Sequence, residues 1–403
     1  MAAPMGRLIL QSDWDNVLGK ANESTWITFK TQIPPSTHGK LTSQGASSDG
    51  IPYVTGSDGF AVQEVTKKTI SVLYKSDSVE LTKRFLAPQL TFSTVHTPGK
   101  IISCVDTTPG GLGVSADSLG KLRIWQTSNG EVRRELEGHL GDVCTCRFFP
   151  SGLVVLSGGS DMQLKIWSAE TGKCAVTLIG HRAGIQDTAI VDRGRNVLSC
   201  GRDGTARLWD VGQQECLGVF SDCGGEVNCC SIGVPAVVCG ELGQLESPPS
   251  DREVLTEGKL LLLGCENKTL QGYGLQSRKK VFELPTHDAV NCCCHLSDVS
   301  AICGTQDGHV TVVDYRNVRV PLKEWKDTRG PILSLCPLSQ GFFFSAGDGS
   351  CCYVDSQGET TVELTGSDCD PIYRVSSDGS HMYTCCRDGL IRKYNLSHAG
   401  LTS

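Results

Sequence analysis

Two stretches of this chain repeat almost side chain for side chain. The first runs Gly138, His139, Ser157, Asp161, Trp167, and the second, 42 residues later, runs Gly180, His181, Ser199, Asp203, Trp209. In both, His leads Asp by 22 residues and Asp leads Trp by 6, and Trp125 lies another 42 residues upstream. A period of about 40 residues with this signature reads as one four-stranded blade per repeat, set in a ring. Such a ring points to binding rather than chemistry.

The spacing has a local cause. Leu153 to Leu156 and Leu164 to Trp167 are short runs of β-formers separated by Ser157-Gly158-Gly159-Ser160-Asp161-Met162-Gln163, which is mostly turn chemistry. Two strands joined by a tight turn follow. The pattern resembles WD-repeat β-propellers, and that likeness implies that His139, Ser157, Asp161 and Trp167 form one buried polar relay, with His181, Ser199, Asp203 and Trp209 as its copy. Ser, His and Asp together also invite a hydrolase reading. A catalytic triad has no reason to recur at a fixed period or to end in Trp, so these residues are assigned a structural role.

Composition agrees. Of 403 residues 46 are Gly and only 6% are aromatic, which suits many tight turns between short strands. A formal charge of -7 supplies no basic field for nucleic acid or anionic lipid. The start of the chain has only a three-residue apolar run, too short for a signal-peptide core, and no later run approaches a membrane span. The 21 cysteines include the runs Cys229-Cys230, Cys292-Cys293-Cys294, Cys351-Cys352 and Cys385-Cys386. No two are separated by two residues, as zinc ligand pairs would be, and neighbours on a strand point to opposite faces. They read as reduced, small core hydrophobes of a protein of the cytoplasm or nucleus.

Outward from the strong repeats, the strand pattern Ile101 to Val105 and Gly113 to Ala116 precedes Trp125, with His96 near the relay position. Asp117 lies eight residues before Trp125 and Leu119 stands where the Asp is expected, so this blade is expected to lack a complete relay. After Trp209 the next turn falls at Glu266-Asn267-Lys268, which requires an insertion at about 236–258, read as a mobile acidic loop. Turns recur at Asp307-Gly308, Asp348-Gly349 and Asp388-Gly389. Blades centred on Trp125, Trp167, Trp209, Tyr273, Val313, Val354 and Tyr394 make seven. The last lacks an outer strand, for which residues 83–95 are the candidate, closing the ring. Residues 1–82, with Trp14, Trp26, Phe29 and two or three strand patterns, are expected to form a small, mostly β domain, an eighth blade being the competing arrangement. The expected organisation is thus all-β: a seven-bladed WD-repeat β-propeller over 83–398 behind a small N-terminal β domain.

Several segments go further than fold. Glu131 to His139, Cys146 to Gly159, Asp187 to Asn196, Leu275 to Arg278 and Thr384 to Gly389 resemble the proteasomal ATPase-associated factor family of animals, and the likeness runs from Gln11-Ser-Asp-Trp14 to the last blade. The resemblance implies a non-enzymatic regulator or assembly chaperone that binds ATPase subunits of the proteasome regulatory particle, through their C-terminal domains. It would control assembly of that particle or its association with the core particle, and would be a monomer on its own.

On a propeller, the residue before each turn Asp, and those leading into each inner strand, share one rim. Here these are Asp142, Ser160, Arg202, Glu226, Gln306, Arg329, Asp370 and Arg387, the candidate partner-binding set. A substrate receptor or scaffold of a cullin ubiquitin ligase is the alternative, because Val313-Asp314-Tyr315-Arg316 resembles a degenerate Trp-Asp-x-Arg ending. The sequence holds neither a Walker-type phosphate loop nor His-Glu-x-x-His, so no enzyme, cofactor or metal is expected.

Overall fold

The computed structural model describes residues 6–31, 35–221, 223–238 and 250–401. Among them, six four-stranded antiparallel units spanning 102–136, 143–179, 185–220, 227–285, 290–326 and 332–364, and a seventh made of three strands in 372–395 with Leu90–Phe92 as its fourth, stand as blades 1 to 7. The inner strand of each blade packs against that of the next, and the inner strand of blade 7 (Ile372–Ser377) returns to that of blade 1 (Ile102–Thr107), which closes the ring.

What holds the ring is a separate apolar core at each of its junctions. The residue at the Trp position of a blade plugs the junction with the blade before it. Trp125 sits with Tyr383 and Ile391 of blade 7, Trp167 with Val114 and Ile124 of blade 1, and Trp209 with Leu156 and Ile166 of blade 2. Tyr273, Val313, Val354 and Tyr394 do the same for the later junctions. The inner strands of a blade are therefore largely covered on both faces and some read as apolar runs rather than alternating, as in Leu260–Cys265, while the outer strands keep exposed positions, as in Val132–Leu136. The cysteine doublets fit this requirement. Cys229 lies in the core between blades 4 and 5 while Cys230 lies in that between blades 3 and 4, and Cys351 and Cys352 divide likewise between the two sides of blade 6. Every cysteine among the described residues is a free thiol.

The N-terminal segment adds strands β1 (Gly6–Leu10), β2 (Ser24–Thr31), β3 (Thr37–Ala46), β4 (Pro52–Gly56), β5 (Phe60–Val65), β6 (Thr69–Lys75), β7 (Glu80–Leu86) and β8 (Leu90–Phe92), with a short helix α1 (Trp14–Leu18). Strands β1 to β4 form one sheet, and β5 to β7 continue blade 6. The two enclose Leu8, Trp14, Ile27, Phe29, Phe60, Ile70 and Phe85 in a core of their own. Within 83–95 the chain divides its work. Strand β7 pairs in parallel with the outer strand of blade 6 (Thr360–Leu364), Val362 facing Arg84, and only β8 completes blade 7, Phe92 facing Ile391.

A buried ionic cluster fastens β7 to blade 6. Lys83 Nζ lies 2.5 Å from Glu363 Oε2, and Arg329 donates to the same oxygen at 3.5 Å and to Asp327 at 2.6 Å. Burial works to raise the Glu363 carboxyl, but Lys83 and Arg329 overcome it and hold it below its usual range. Trp14 Nε1 donates to Thr365 Oγ1 at 3.0 Å beside this cluster.

Of the insertion expected at 236–258, residues 239–249 lie outside the described residues. The part that follows is docked rather than free. The Asn196 amide donates to the Arg252 carbonyl at 3.0 Å and accepts from Val254 N–H at 2.8 Å, and Glu253 pairs with Arg278.

Breaking one partner out of a buried ion pair costs about 3–5 kcal/mol. The Lys83→Met protein is expected to lose an amount near the lower end, because Arg329 still faces Glu363. Urea unfolding checks the loss, and amide exchange locates it, with protection falling first in β6 and β7.

Candidate partner-binding face of the ring

Each turn between the second and third strands of a blade carries an Asp or Asn, and in blades 1, 2, 3, 6 and 7 that Asp accepts bonds from backbone N–H groups. In blade 2, Asp161 Oδ2 accepts from Leu140 N–H at 3.1 Å and lies 2.9 Å from His139 Nδ1, while His139 Nε2 lies 2.7 Å from Ser157 Oγ. Trp167 Nε1 donates to the same Ser157 Oγ at 2.8 Å. Blade 3 repeats the set: His181 Nδ1 lies 2.8 Å from Asp203 Oδ2, His181 Nε2 is 2.7 Å from Ser199 Oγ, and Trp209 Nε1 donates to it at 2.8 Å.

Blade 1 is a correction. Its relay is complete: His96 Nδ1 lies 3.1 Å from Asp117 Oδ2, His96 Nε2 lies 2.7 Å from Ser115 Oγ, and Trp125 Nε1 donates to Ser115 at 3.0 Å. The turn is longer than in blade 2, with Leu119 and Lys121 N–H both donating to Asp117 Oδ1, so counting back from Trp125 lands on Leu119 instead of the Asp. Gly120 allows it. Its φ is +73°, and a Cβ there would strike the Gly141 carbonyl of blade 2.

These sets are sealed. The His139 side chain is 1% exposed, and the Ser157 hydroxyl is held between an imidazole and an indole N–H. Burial pushes the His139 and His181 imidazoles below their usual value of 6.5 and outweighs the raising effect of Asp161 and Asp203. Burial also works to raise those two carboxyls, but backbone N–H groups and the histidines hold both below their usual range.

Around this frame a rim repeats in every blade. The residue after the second strand donates its N–H to the carbonyl just before the inner strand: Ser160 to Asp142 at 2.8 Å, Arg202 to Gly184 at 2.9 Å, Gln306 to Ala289 at 2.9 Å and Arg387 to Pro371 at 3.1 Å. Ser118, Glu266 and Gly347 occupy the same place in blades 1, 4 and 6 and were not found from sequence. Position after the second strand was the available signal. Asp142, Ser160, Arg202, Glu226, Gln306 and Arg387 are exposed and Asp370 is half-buried. Arg387 Nε donates to Asp370 at 2.8 Å, and Arg202 lies 4.0 Å from Glu226. Arg329 leaves the rim, buried in the cluster with Asp327, Glu363 and Lys83.

Each inner strand also carries a bulge next to the rim, which the sequence reading missed. It turns Cys144, Gln186, Asn228, Asn291, Leu333 and Tyr373 toward the mouth of the ring, half-buried. Asn228 and Asn291 reach the carbonyls of Val290 and Ile332 in the following blades. Deeper, Asp187 of blade 3 bonds Arg374 across the ring at 3.1 Å and Arg147 at 3.2 Å. Burial works to raise Asp187, yet Arg374 and Arg147 hold it below the usual carboxylate range. The Asp314-Tyr315-Arg316 ending folds on itself: Arg316 pairs with Asp314 at 2.6 Å and Tyr315 is fully buried. Among the described residues no group of three or more His, Cys, Asp or Glu side chains could hold a metal ion.

Seven blades, three full relays and a repeating rim define a WD-repeat β-propeller whose accessible chemistry is a surface. Residues 130–168, 172–210 and 358–395 match the family model for the WD domain, G-beta repeat. The chain is 53% identical to human proteasomal ATPase-associated factor 1, covering 98% of this chain and 100% of the relative. It is 50% identical to the Gallus gallus protein of that name over 96% of this chain and 98% of the relative. Identity to the probable proteasomal ATPase-associated factor 1 of Dictyostelium discoideum is 33%, over 96% and 95%. The chain belongs to the proteasomal ATPase-associated factor 1 family.

Two outcomes test the relay. Ser157→Ala leaves the Trp167 indole N–H without its buried acceptor and His139 Nε2 without its partner hydroxyl, at about 1–3 kcal/mol each, so chemical denaturation is expected to show a loss of roughly 2–6 kcal/mol. Because the two imidazoles titrate lower when folded, the unfolded chain takes up protons first as pH falls. Their stabilisation is whole above about pH 6.5 and is lost as pH drops toward the folded value; that of Asp161 and Asp203 goes only below about pH 4. Melting temperatures from pH 8 to pH 5 should therefore decline below pH 6.5, and less steeply in the His139→Gln/His181→Gln protein.

Proposed function

We propose that this chain is a non-enzymatic regulator that binds ATPase subunits of the proteasome regulatory particle, by their C-terminal domains, through the rim of its ring. Its role is to control assembly of that particle or its association with the core particle. The carrying observation is the full-length likeness to relatives named for association with proteasomal ATPases, joined to a rim whose exposed charges sit on a rigid frame. Arg202 with Glu226 and Arg387 with Asp370 place alternating charge on two separated blades, an arrangement that fixes a partner's register more than it adds affinity. On this reading the protein acts as a monomer in the cytoplasm and nucleus.

The test is a pull-down from cytosolic extract with mass spectrometry, run with the native chain and with Arg202→Glu/Arg387→Glu. Both arginines are exposed, so folding should persist. Each reversal sets a like charge beside Glu226 or Asp370, and recovery of regulatory-particle ATPases is expected to fall about tenfold, the scale of like-charge juxtaposition at an interface. Recovery of a cullin-ligase adaptor with no proteasomal ATPase would overturn the reading.

A further inference from the structure

Strand alternation gives the sheet β1 to β4 an inner face, bearing Leu8, Ile27, Phe29 and Leu41 in the N-terminal core, and an outer face. The outer face is unusual in three respects. Trp26 lies in the middle of it, 47% exposed, whereas Trp14, Trp125, Trp167 and Trp209 are fully buried. Lys40 stands directly opposite Trp26 on β3, Lys30 follows on β2, and exposed His38 pairs across to Thr28 at 3.0 Å. No carboxylate occupies an outward position on any of the four strands, although the whole chain carries a net charge of -7. Among the described residues neither Lys30 nor Lys40 has an ion-pair partner.

The face also has a fixed place relative to the ring. Arg7, paired with Lys30 in the ladder and on the same side of the sheet, donates to Asp348 at 3.0 Å on the turn of blade 6. The outer face therefore meets the rim at its edge instead of turning away from it. Ordinary solvated sheet surface mixes both signs of charge, and here an exposed indole stands among cations alone.

We propose that the outer face of β1 to β4 binds an extended acidic segment of a partner protein, Trp26 covering its backbone or apolar side chains and Lys30, Lys40 and His38 meeting its carboxylates. The face is open and flat, which suits an extended segment rather than a small molecule. Nucleic acid is the poorer match because it presents a dense run of phosphates that calls for a broad basic field, whereas this face offers two unpaired lysines and one histidine, enough for a segment with a few carboxylates. The proposal stands apart from the rim reading and does not need it.

The experiment uses the full chain and a fluorescein-labelled peptide of alternating Glu and Ser, followed by fluorescence polarisation at low salt. Binding should weaken about tenfold in Lys30→Glu/Lys40→Glu and fall off between low and physiological salt, since exposed charge contacts are screened. Trp26→Thr, a β-former at an exposed site, should weaken it several-fold while leaving the melting temperature unchanged. Unlabelled peptide should shift the tryptophan emission of the native chain and not of Trp26→Thr. The Arg202→Glu/Arg387→Glu protein should bind the peptide as the native chain does. Absence of binding, equal affinity in both face variants, or tighter binding of an oligothymidylate of the same charge would each overturn the proposal. So would concentration-dependent dimerisation in sedimentation that the face variants abolish, which would give the surface to a second copy.

Discussion

The inner three strands of a blade in this ring have little solvent face, and exposure is left mainly to the outer strands, as in Val132–Leu136. Each sheet is covered by the blade before it and the blade after it, so its burial is complete only if every neighbour is present and the last meets the first. Closure is therefore a condition on all seven junction cores at once; at the last one the inner strands of blades 7 and 1 pack together, and β8 pairs with the third strand of blade 7, Phe92 facing Ile391. Phe92 and Trp125 both enter the core between blades 7 and 1, with ring centroids 5.1 Å apart. The strand that ties the ring thus also helps to fill its last junction.

Two-sided burial explains residue choices that look odd one at a time. Inner strands crowd toward the axis and draw heavily on Cys, Ser, Thr and Val. Cys229 Sγ and Cys293 Sγ approach to 3.4 Å across the junction of blades 4 and 5, and burial pushes the Cys229 thiol well above its usual value. Most polar side chains buried in such a frame are bonded. The relays meet that condition in blades 1 to 3, and blade 6 meets it by other means: Asp348 takes Arg7 from the N-terminal sheet, while Arg329 turns inward to Glu363.

What could be read in the sequence follows from how local each interaction is. The relays of blades 2 and 3 were legible because all four side chains fall within one repeat. Blade 1 hid its relay behind a longer turn, an error of counting rather than of chemistry. The role of Tyr273, Val313, Val354 and Tyr394 was legible as spacing, since plugging a junction asks only for bulk at a fixed offset. Arg329 was misplaced because its position matches the rim while its partners, Lys83 and Glu363, lie far away along the chain. The bulges carrying Cys144, Gln186 and Asn228 left no signal, because any residue can occupy them. For the same reason the sequence could locate the rim without showing which of its charges stay free.

The N-terminal sheet turns a nearly symmetric ring into an oriented one. Seven equivalent rim positions alone would offer a partner several similar registers. Strand β7 lengthens the sheet of blade 6 and its cluster of Lys83, Glu363 and Arg329 holds it rigidly, while Arg7 occupies the blade 6 turn. Asp370 lies next to that turn, so the Arg387–Asp370 pair borders the blade 6 side of the rim, while Arg202 with Glu226 stands at blades 3 and 4, away from it. Two ion pairs each worth only about 0.2–1 kcal/mol cannot by themselves select one register from seven. On the proposed reading of the rim, the N-terminal sheet at blade 6 breaks the equivalence of the seven positions, and the buried ion pairs that join the two parts of the fold hold that break in place.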